Sequence, residues 1–254
     1  MFLHEVINNI KLIANDKKLK NTSLAWMNHS ASYKYTYNFC WLSSPIIQYP
    51  QDIVAMQEII WAVKPDLIIE TGIAHGGSLI LSASMLALLD MADAIEAGQS
   101  MNPAQSNRKV MGIDIDIRAH NREAIEAHPM FSRIDMIEGS SIAPEVIDQV
   151  NKVAANHERI LVCLDAMHTH DHVLAELEAY APLVNPGSYC VVFDTIIDNM
   201  PAEMFPDRPW GPGNNPKTAV HQYLKTHPEF EIDKQIEHKL LISVAPDGYL
   251  KRIR

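Results

Sequence analysis

The chain is short of several features that would narrow its function at once. Its three cysteines, Cys40, Cys163 and Cys190, lie far apart. Cys163 and Cys190 fall inside apolar, strand-like runs, where buried free thiols are expected, and that usage fits a reducing cytoplasm. There is no basic run, and the formal charge is −10. Nothing is therefore present to neutralise a nucleic-acid backbone, and an anionic membrane is disfavoured for the same reason. No window reaches the roughly 18 apolar residues of a membrane span. The opening "MFLHEVINNIKLIANDKK" has neither the charged start nor the apolar centre of a signal peptide. What remains is ordinary for a soluble globular protein with a sizeable core: 254 residues, 47% hydrophobic and 20% charged.

The pattern along the chain is alternating. Val6, Ile7, Ile10, Leu12 and Ile13 predict a short amphipathic helix within residues 1–20. Residues 21–51 read as irregular and rich in aromatics. A helix follows, with Asp52 as its expected N-cap and Ile53, Met56, Ile59, Ile60 and Val63 on one face. From "LIIE" onward, apolar runs of strand length alternate with helical stretches, ending in "LLISVAPDGYLKRI", which reads as a terminal hairpin. Such runs predict an α/β fold: a mostly parallel sheet covered by helices on both faces. Ligands of open parallel sheets bind beyond the carboxyl ends of the strands. The strand-end residues are Glu70, Asp114, Ser140, Asp165 and Asp194, and most of them are acidic.

The first strand runs into "GIAHGGSL". A P-loop would need a lysine followed by Ser or Thr there, and none is present. Gly72, Ala74 and Gly77 come near a dinucleotide fingerprint, but Glu70 precedes the first glycine by two residues. A carboxylate there opposes a pyrophosphate and suits the cationic amino group of S-adenosylmethionine (SAM). The second strand ends "GIDID", placing Asp114, with Asp116 as the alternative, to accept ribose hydroxyls of either cofactor. The third ends "EGSS", where Ser140 and Ser141 can meet an adenine edge.

Asp165 and Asp194 end the fourth and fifth strands. If those strands are neighbours, the pair suits Mg²⁺, which prefers oxygen ligands, and Thr195 could add a hydroxyl. Three histidines crowd the same region, but the hydrolase spacing His-x-His-x-Asp-His needs one more residue than "HTHDH" supplies. His168, three residues beyond Asp165, is the expected base. His170 is a weaker candidate, and His172 reads as structural because it enters an amphipathic helix with Val173, Leu174 and Leu177. His75, within the glycine turn, reads as a structural or cofactor-contact residue.

Taken together, "KPDLIIETGIAHGGSLI", "GIDIDIRAHN", "LDAMHTHDHVLAELEAYAPLV", "VVFDTII" and "RPWGPGNNPKTAV" resemble the cephalosporin hydroxylase family over roughly residues 40–254. Bacterial relatives in that family include proteins named rhamnosyl O-methyltransferases. The resemblance implies a Rossmann-like class I SAM-dependent methyltransferase fold with a Mg²⁺ site, not a hydroxylase. It places the SAM turn on Glu70, Gly72, Ala74 and Gly76, with His75 and Ser78 beside them, the ribose acid on Asp114, and the metal acids on Asp165 and Asp194. The family's antibiotic branch has an adjacent acidic pair where this chain has Phe193, leaving Thr195 or water as third ligand. The Asp207–Val220 segment is typical of the sugar-modifying branch. It is expected as a lid or substrate loop, or as a loop leading into a helix with Asn215 near its N-cap.

The expected reaction is in-line methyl transfer from SAM to a hydroxyl of a sugar, a deoxysugar of a surface glycan or natural product. Mg²⁺ on Asp165 and Asp194 would activate the hydroxyl, and His168 would take the proton. Residues 1–51 are expected as an N-terminal helix with an aromatic lid or substrate segment (Tyr33, Tyr35, Tyr37, Phe39, Trp41), unless those rings are core packing, and residues 52–254 as the SAM-binding domain. A small-molecule or glycan acceptor is the expected partner, with a homo-oligomer plausible from the N-terminal helix. An NAD-dependent Rossmann oxidoreductase and a non-catalytic SAM-binding module are the alternative readings.

Overall fold

The computed structural model describes residues 2–254. Helix α1 (Phe2–Asn15) is followed at once by α2 (Lys17–Ala31), whose N-cap Asp16 accepts from the Leu19 amide. The helical region therefore extends well into the stretch expected to be irregular. The break is a single residue, because Asp16 restarts a helix that the lysines behind it then propagate. After a short turn, strands β1 (Phe39–Trp41) and β2 (Ser44–Ile46) form a small antiparallel hairpin.

Helix α3 (Pro50–Val63) begins with proline in its first turn, the position where a missing amide hydrogen costs nothing. Its N-cap is Tyr49, not Asp52. Asp52 lies inside the helix, fully buried, and accepts from the Ser243 hydroxyl (2.6 Å), the Val244 amide (2.9 Å) and the Tyr249 hydroxyl (2.8 Å). Burial pushes its carboxyl up to about 6 against the pull of those donors. The residue that looked like a local cap instead ties α3 to the far end of the chain.

The alternating region folds as expected: β3 (Leu67–Thr71), α4 (Gly77–Ala97), β4 (Lys109–Asp114), α5 (Ala119–Glu126), β5 (Ile134–Glu138), α6 (Pro144–Ala154), β6 (Ile160–Leu164), α7 (His170–Tyr180) and β7 (Tyr189–Val192). Helix α4 is, by length and composition, long and apolar enough to cross a membrane. No unbroken apolar run marks it in the sequence, because Ser78, Ser82 and Ser84 interrupt the pattern. In the fold its first half is buried, with Leu79, Ile80, Leu86 and Leu89 in the core beneath α3 and the β1–β2 hairpin.

The chain closes with α8 (Pro216–Tyr223), β8 (Phe230–Ile232), α9 (Lys234–Leu240) and β9 (Tyr249–Arg252). The C-terminal antiparallel pair is present, but β9 pairs with β8 and not with residues 240–245. The seven strands lie in the order β5-β4-β3-β6-β7-β9-β8, the first five mutually parallel. Both faces are covered, which is why β3 and β6 are buried at every residue. Strand order reverses between β3 and β6, and that switch point opens a crevice at their carboxyl ends.

Candidate active site

The crevice is a cavity of about 590 Å³, within the range of small-molecule sites. Its floor is the turn after β3. Gly72 has φ +89°, and a Cβ on it would lie 2.1 Å from the Asp165 carbonyl oxygen. Only glycine lets the turn pass that close to the end of β6. Ala74 also takes positive φ (46°), held there by Asp114. One Asp114 carboxylate oxygen accepts from the Ile73 (2.8 Å) and Ala74 (3.3 Å) amides, and the other from the Asp116 amide (3.1 Å). Asp114 lines the cavity and shapes the turn, whereas Asp116 lies exposed beside Arg118. His75 also lines the cavity, near Asn121 (3.3 Å), whose amide donates to the Ala74 carbonyl at 2.7 Å.

Two glycine-turn expectations need correction. Glu70 is not a cavity-lining group: it is buried within β3, and the hydroxyl of Ser78, which does line the cavity, donates to it. Burial pushes its carboxyl up to about 7, against the lowering effect of Ser78. Through Ser78 it anchors the first turn of α4 from below. Gly76 likewise stays out of the lining; its positive φ (82°) and the close Ile125 side chain make it the junction between the turn and α5.

At the other end of the crevice, β6 and β7 are hydrogen-bonded neighbours, so Asp165 and Asp194 stand side by side. With His168 they offer ligand atoms within 4.8 Å of one another, and His168 Nε2 is 3.1 Å from Asp194 Oδ2. Burial, followed by the charge of Asp194, pushes the Asp165 carboxyl well above the ordinary carboxylate range. Asp194 itself is held at φ +56°, an uncommon conformation for a non-glycine residue of the kind found at functional sites. Two acids brought together beside an imidazole, with no lysine or arginine among the lining residues, form a donor set that a divalent cation fits.

Thr195 is excluded from that set. It is fully buried and its hydroxyl donates to the Pro246 carbonyl at 2.6 Å. The third group at the acids is His168. His170 is excluded as a base because both ring nitrogens are engaged, with Thr218 (2.8 Å) and Gln222 (3.0 Å). Trp210 packs edge-on against His168 with centroids 4.9 Å apart, and Arg208 lies over Trp210. The first half of the Asp207–Val220 segment thus reaches His168 through Trp210, and Asn215 caps α8 with a full capping box.

The aromatic segment divides in the same way. Tyr37 lines the cavity and is more than half exposed, whereas Trp41 packs on the core and donates to Ser84 at 2.9 Å. His172 and Gln48 are among the lining residues that were not foreseen. His172, expected to be structural, borders the cavity from α7. Gln48, between β2 and α3, lines the cavity while 4% exposed, and its Oε1 has no partner within the described residues. Nothing local marks Gln48, because only the tertiary fold brings that connection over the glycine turn.

A five-stranded parallel core extended by an antiparallel C-terminal pair, with a glycine turn after its first strand and acids at successive strand ends, defines the Rossmann-like class I methyltransferase fold. Comparison with known proteins makes the assignment specific. The family model for rhamnosyl O-methyltransferase/CmcI matches residues 33–253, and the chain belongs to that family. It is thereby a SAM-dependent O-methyltransferase by class. Rhamnosyl O-methyltransferases of Mycobacterium bovis and Mycobacterium tuberculosis are 30% identical over 216 residues, covering 84% of this chain and 75% of theirs. That of Mycobacterium leprae is 28% identical, covering 84% and 82%. Among solved structures, CmcI with Mg and SAM aligns with a TM-score of 0.55 at 16% identity over 86% of this chain and 78% of its own, a likeness of fold.

Proposed function

We propose that the chain methylates a hydroxyl of a deoxysugar of the rhamnose type, with Mg²⁺ held by Asp165 and Asp194. The observation that carries this reading is the meeting of Asp165, Asp194 and His168 at one end of the cavity. The names of the mycobacterial relatives supply the sugar. When bound, SAM supplies an electrophilic methyl group, and Mg²⁺ supplies a Lewis acid that lowers the pKa of an alcohol.

The residues divide the remaining work. Asp165 and Asp194 offer the oxygen donors a hard cation prefers, which leaves the imidazole of His168 outside that shell. With Nε2 carrying its hydrogen toward Asp194, His168 would accept the hydroxyl proton at Nδ1 as the methyl group passes from sulfur to oxygen. Asp194, 3.1 Å away, orients the ring and stabilises the resulting imidazolium. Trp210 restrains the His168 ring, and Tyr37 contributes to the cavity wall.

The direct test supplies methyl-labelled SAM with a rhamnoside or a nucleotide-linked rhamnose as acceptor. Label is expected on a sugar oxygen, lost with a chelator and restored by added Mg²⁺. Transfer that continues in chelator removes the metal assignment. Failure to label any sugar while a non-sugar alcohol is labelled removes the sugar reading.

A further inference from the structure

Asp194 holds a backbone conformation (φ +56°) that a non-glycine residue keeps only where its surroundings over-determine it. Those surroundings lie behind the strand end, in the loop of residues 241–248 between α9 and β9. The Val192 amide donates to the Gly248 carbonyl at 2.8 Å, continuing the β7–β9 ladder toward Asp194. Beyond Asp194, the Thr195 hydroxyl donates to the Pro246 carbonyl (2.6 Å) and the Ile196 amide to the Val244 carbonyl (3.1 Å). One loop therefore grips the turn both before and after Asp194.

The loop is gripped in its turn by Asp52, in the first turn of α3. Asp52 Oδ2 accepts from the Val244 amide, and Oδ1 accepts from the Ser243 and Tyr249 hydroxyls. The Ser243 oxygen, whose hydrogen is committed to Asp52, accepts from the Ala245 amide at 2.9 Å. Val244 is thus held at both ends. Its amide is bonded to Asp52, and its carbonyl to Ile196, two residues beyond Asp194. All three partners of Asp52 are donors, so the side chain among them must offer two acceptor oxygens and no hydrogen. Burying an acid whose partners are all neutral is costly, and a tie that merely joined α3 to the chain end could be made by a neutral pair.

We propose that Asp52 is a positioning residue for Asp194: through Val244 it holds the loop against the end of β7, and so keeps the Asp194 carboxylate turned toward Asp165 and His168. The proposal rests on Asp165 and Asp194 being the ligands of the cation. Asp52→Asn keeps the size of the side chain but sets an NH₂ group against donors that need an acceptor. The loop then loses its hold, and Asp194 can leave the strained conformation. Loss of a group that orients a metal ligand typically changes metal affinity about 10- to 100-fold.

Titration of the full chain with Mn²⁺ alone, a cation suited to carboxylates as Mg²⁺ is, tests this without turnover when the free ion is followed by electron paramagnetic resonance. Asp52→Asn is expected to weaken Mn²⁺ binding at least about tenfold. Its affinity for S-adenosylhomocysteine should stay unchanged, because the glycine turn and Asp114 lie across β6 from the β7 end. Thr195→Val removes only the bond between turn and loop. It is expected to weaken Mn²⁺ binding by about threefold, the factor for a modest hydrogen bond, and it decides the matter should Asp52→Asn fail to fold. Val150→Ala, a change in the core under α6, should lower the melting temperature and leave Mn²⁺ affinity at the wild-type value. Unchanged Mn²⁺ affinity in folded Asp52→Asn, or in Thr195→Val where the asparagine variant does not fold, overturns the proposal. So does an equal loss of Mn²⁺ affinity in Val150→Ala, which would mark the effect as one of stability alone. A wild type that binds no Mn²⁺, or binding that survives Asp194→Ala, overturns the metal reading itself, and this one with it.

Discussion

Asp165→Ala is expected to fold normally and to transfer no measurable methyl group, a loss of at least ~10³-fold in kcat/KM, or about 4 kcal/mol of transition-state stabilisation. Asp165 ends β6 directly above the glycine turn and beside Asp194. Its removal therefore takes away half of the oxygen donors for the cation while leaving His168 and the cofactor turn in place. The same substitution should raise the melting temperature of the metal-free protein. A half-buried carboxylate facing Asp194 is opposed both by desolvation and by like charge, and alanine relieves both. Turnover and thermal melting on one preparation check the two expectations together. Loss of activity accompanied by lower stability would mean that Asp165 serves the fold rather than the chemistry.

Gly72→Ala is expected to be the most destabilising single change in the site, costing more than about 4 kcal/mol, in the range of exceptional mutations. Positive φ alone costs roughly 1 kcal/mol for alanine. The larger part comes from the new Cβ, 2.1 Å from the Asp165 carbonyl oxygen and 2.6 Å from its carbon, backbone atoms at the end of a fully buried strand. Gly98→Ala is the control: it also has positive φ (63°), but nothing lies within 4 Å of the added carbon, and only about 1 kcal/mol is expected. Denaturant unfolding of the two variants separates backbone conformation from close approach. A Gly72→Ala protein as stable as Gly98→Ala, with SAM affinity intact, would show that the turn does not need its contact with β6.

How much of this was legible in the sequence follows from the range of each interaction. The parallel core was legible because a strand buried on both faces is largely apolar: β6 and β7 are so at every residue and β3 at its first three. The acids were legible because topology puts strand ends at the ligand. Asp52 was misread as a cap because its partners, Ser243, Val244 and Tyr249, lie about 190 residues away. Thr195 was misread because adjacency to Asp194 says nothing about where a buried hydroxyl points, and the 3₁₀ turn beginning there aims it at Pro246. His172 was assigned to the helix interior on periodicity, yet the same turn of α7 also faces the loop after β5. The break between α1 and α2 was invisible to periodicity because both sides remain helical. For Asp52, Thr195 and His172 a distant partner decided the outcome.

The central claim is that the turn after β3 and the acid cluster together form a SAM site with a divalent cation. Isothermal titration with SAM and then with NAD⁺, each with and without Mg²⁺, tests it most directly. Micromolar SAM binding, with no response to NAD⁺ and a further heat when Mg²⁺ is added, is the predicted result. Binding of NAD⁺ with silence toward SAM would contradict it and would return the cavity to the dinucleotide reading.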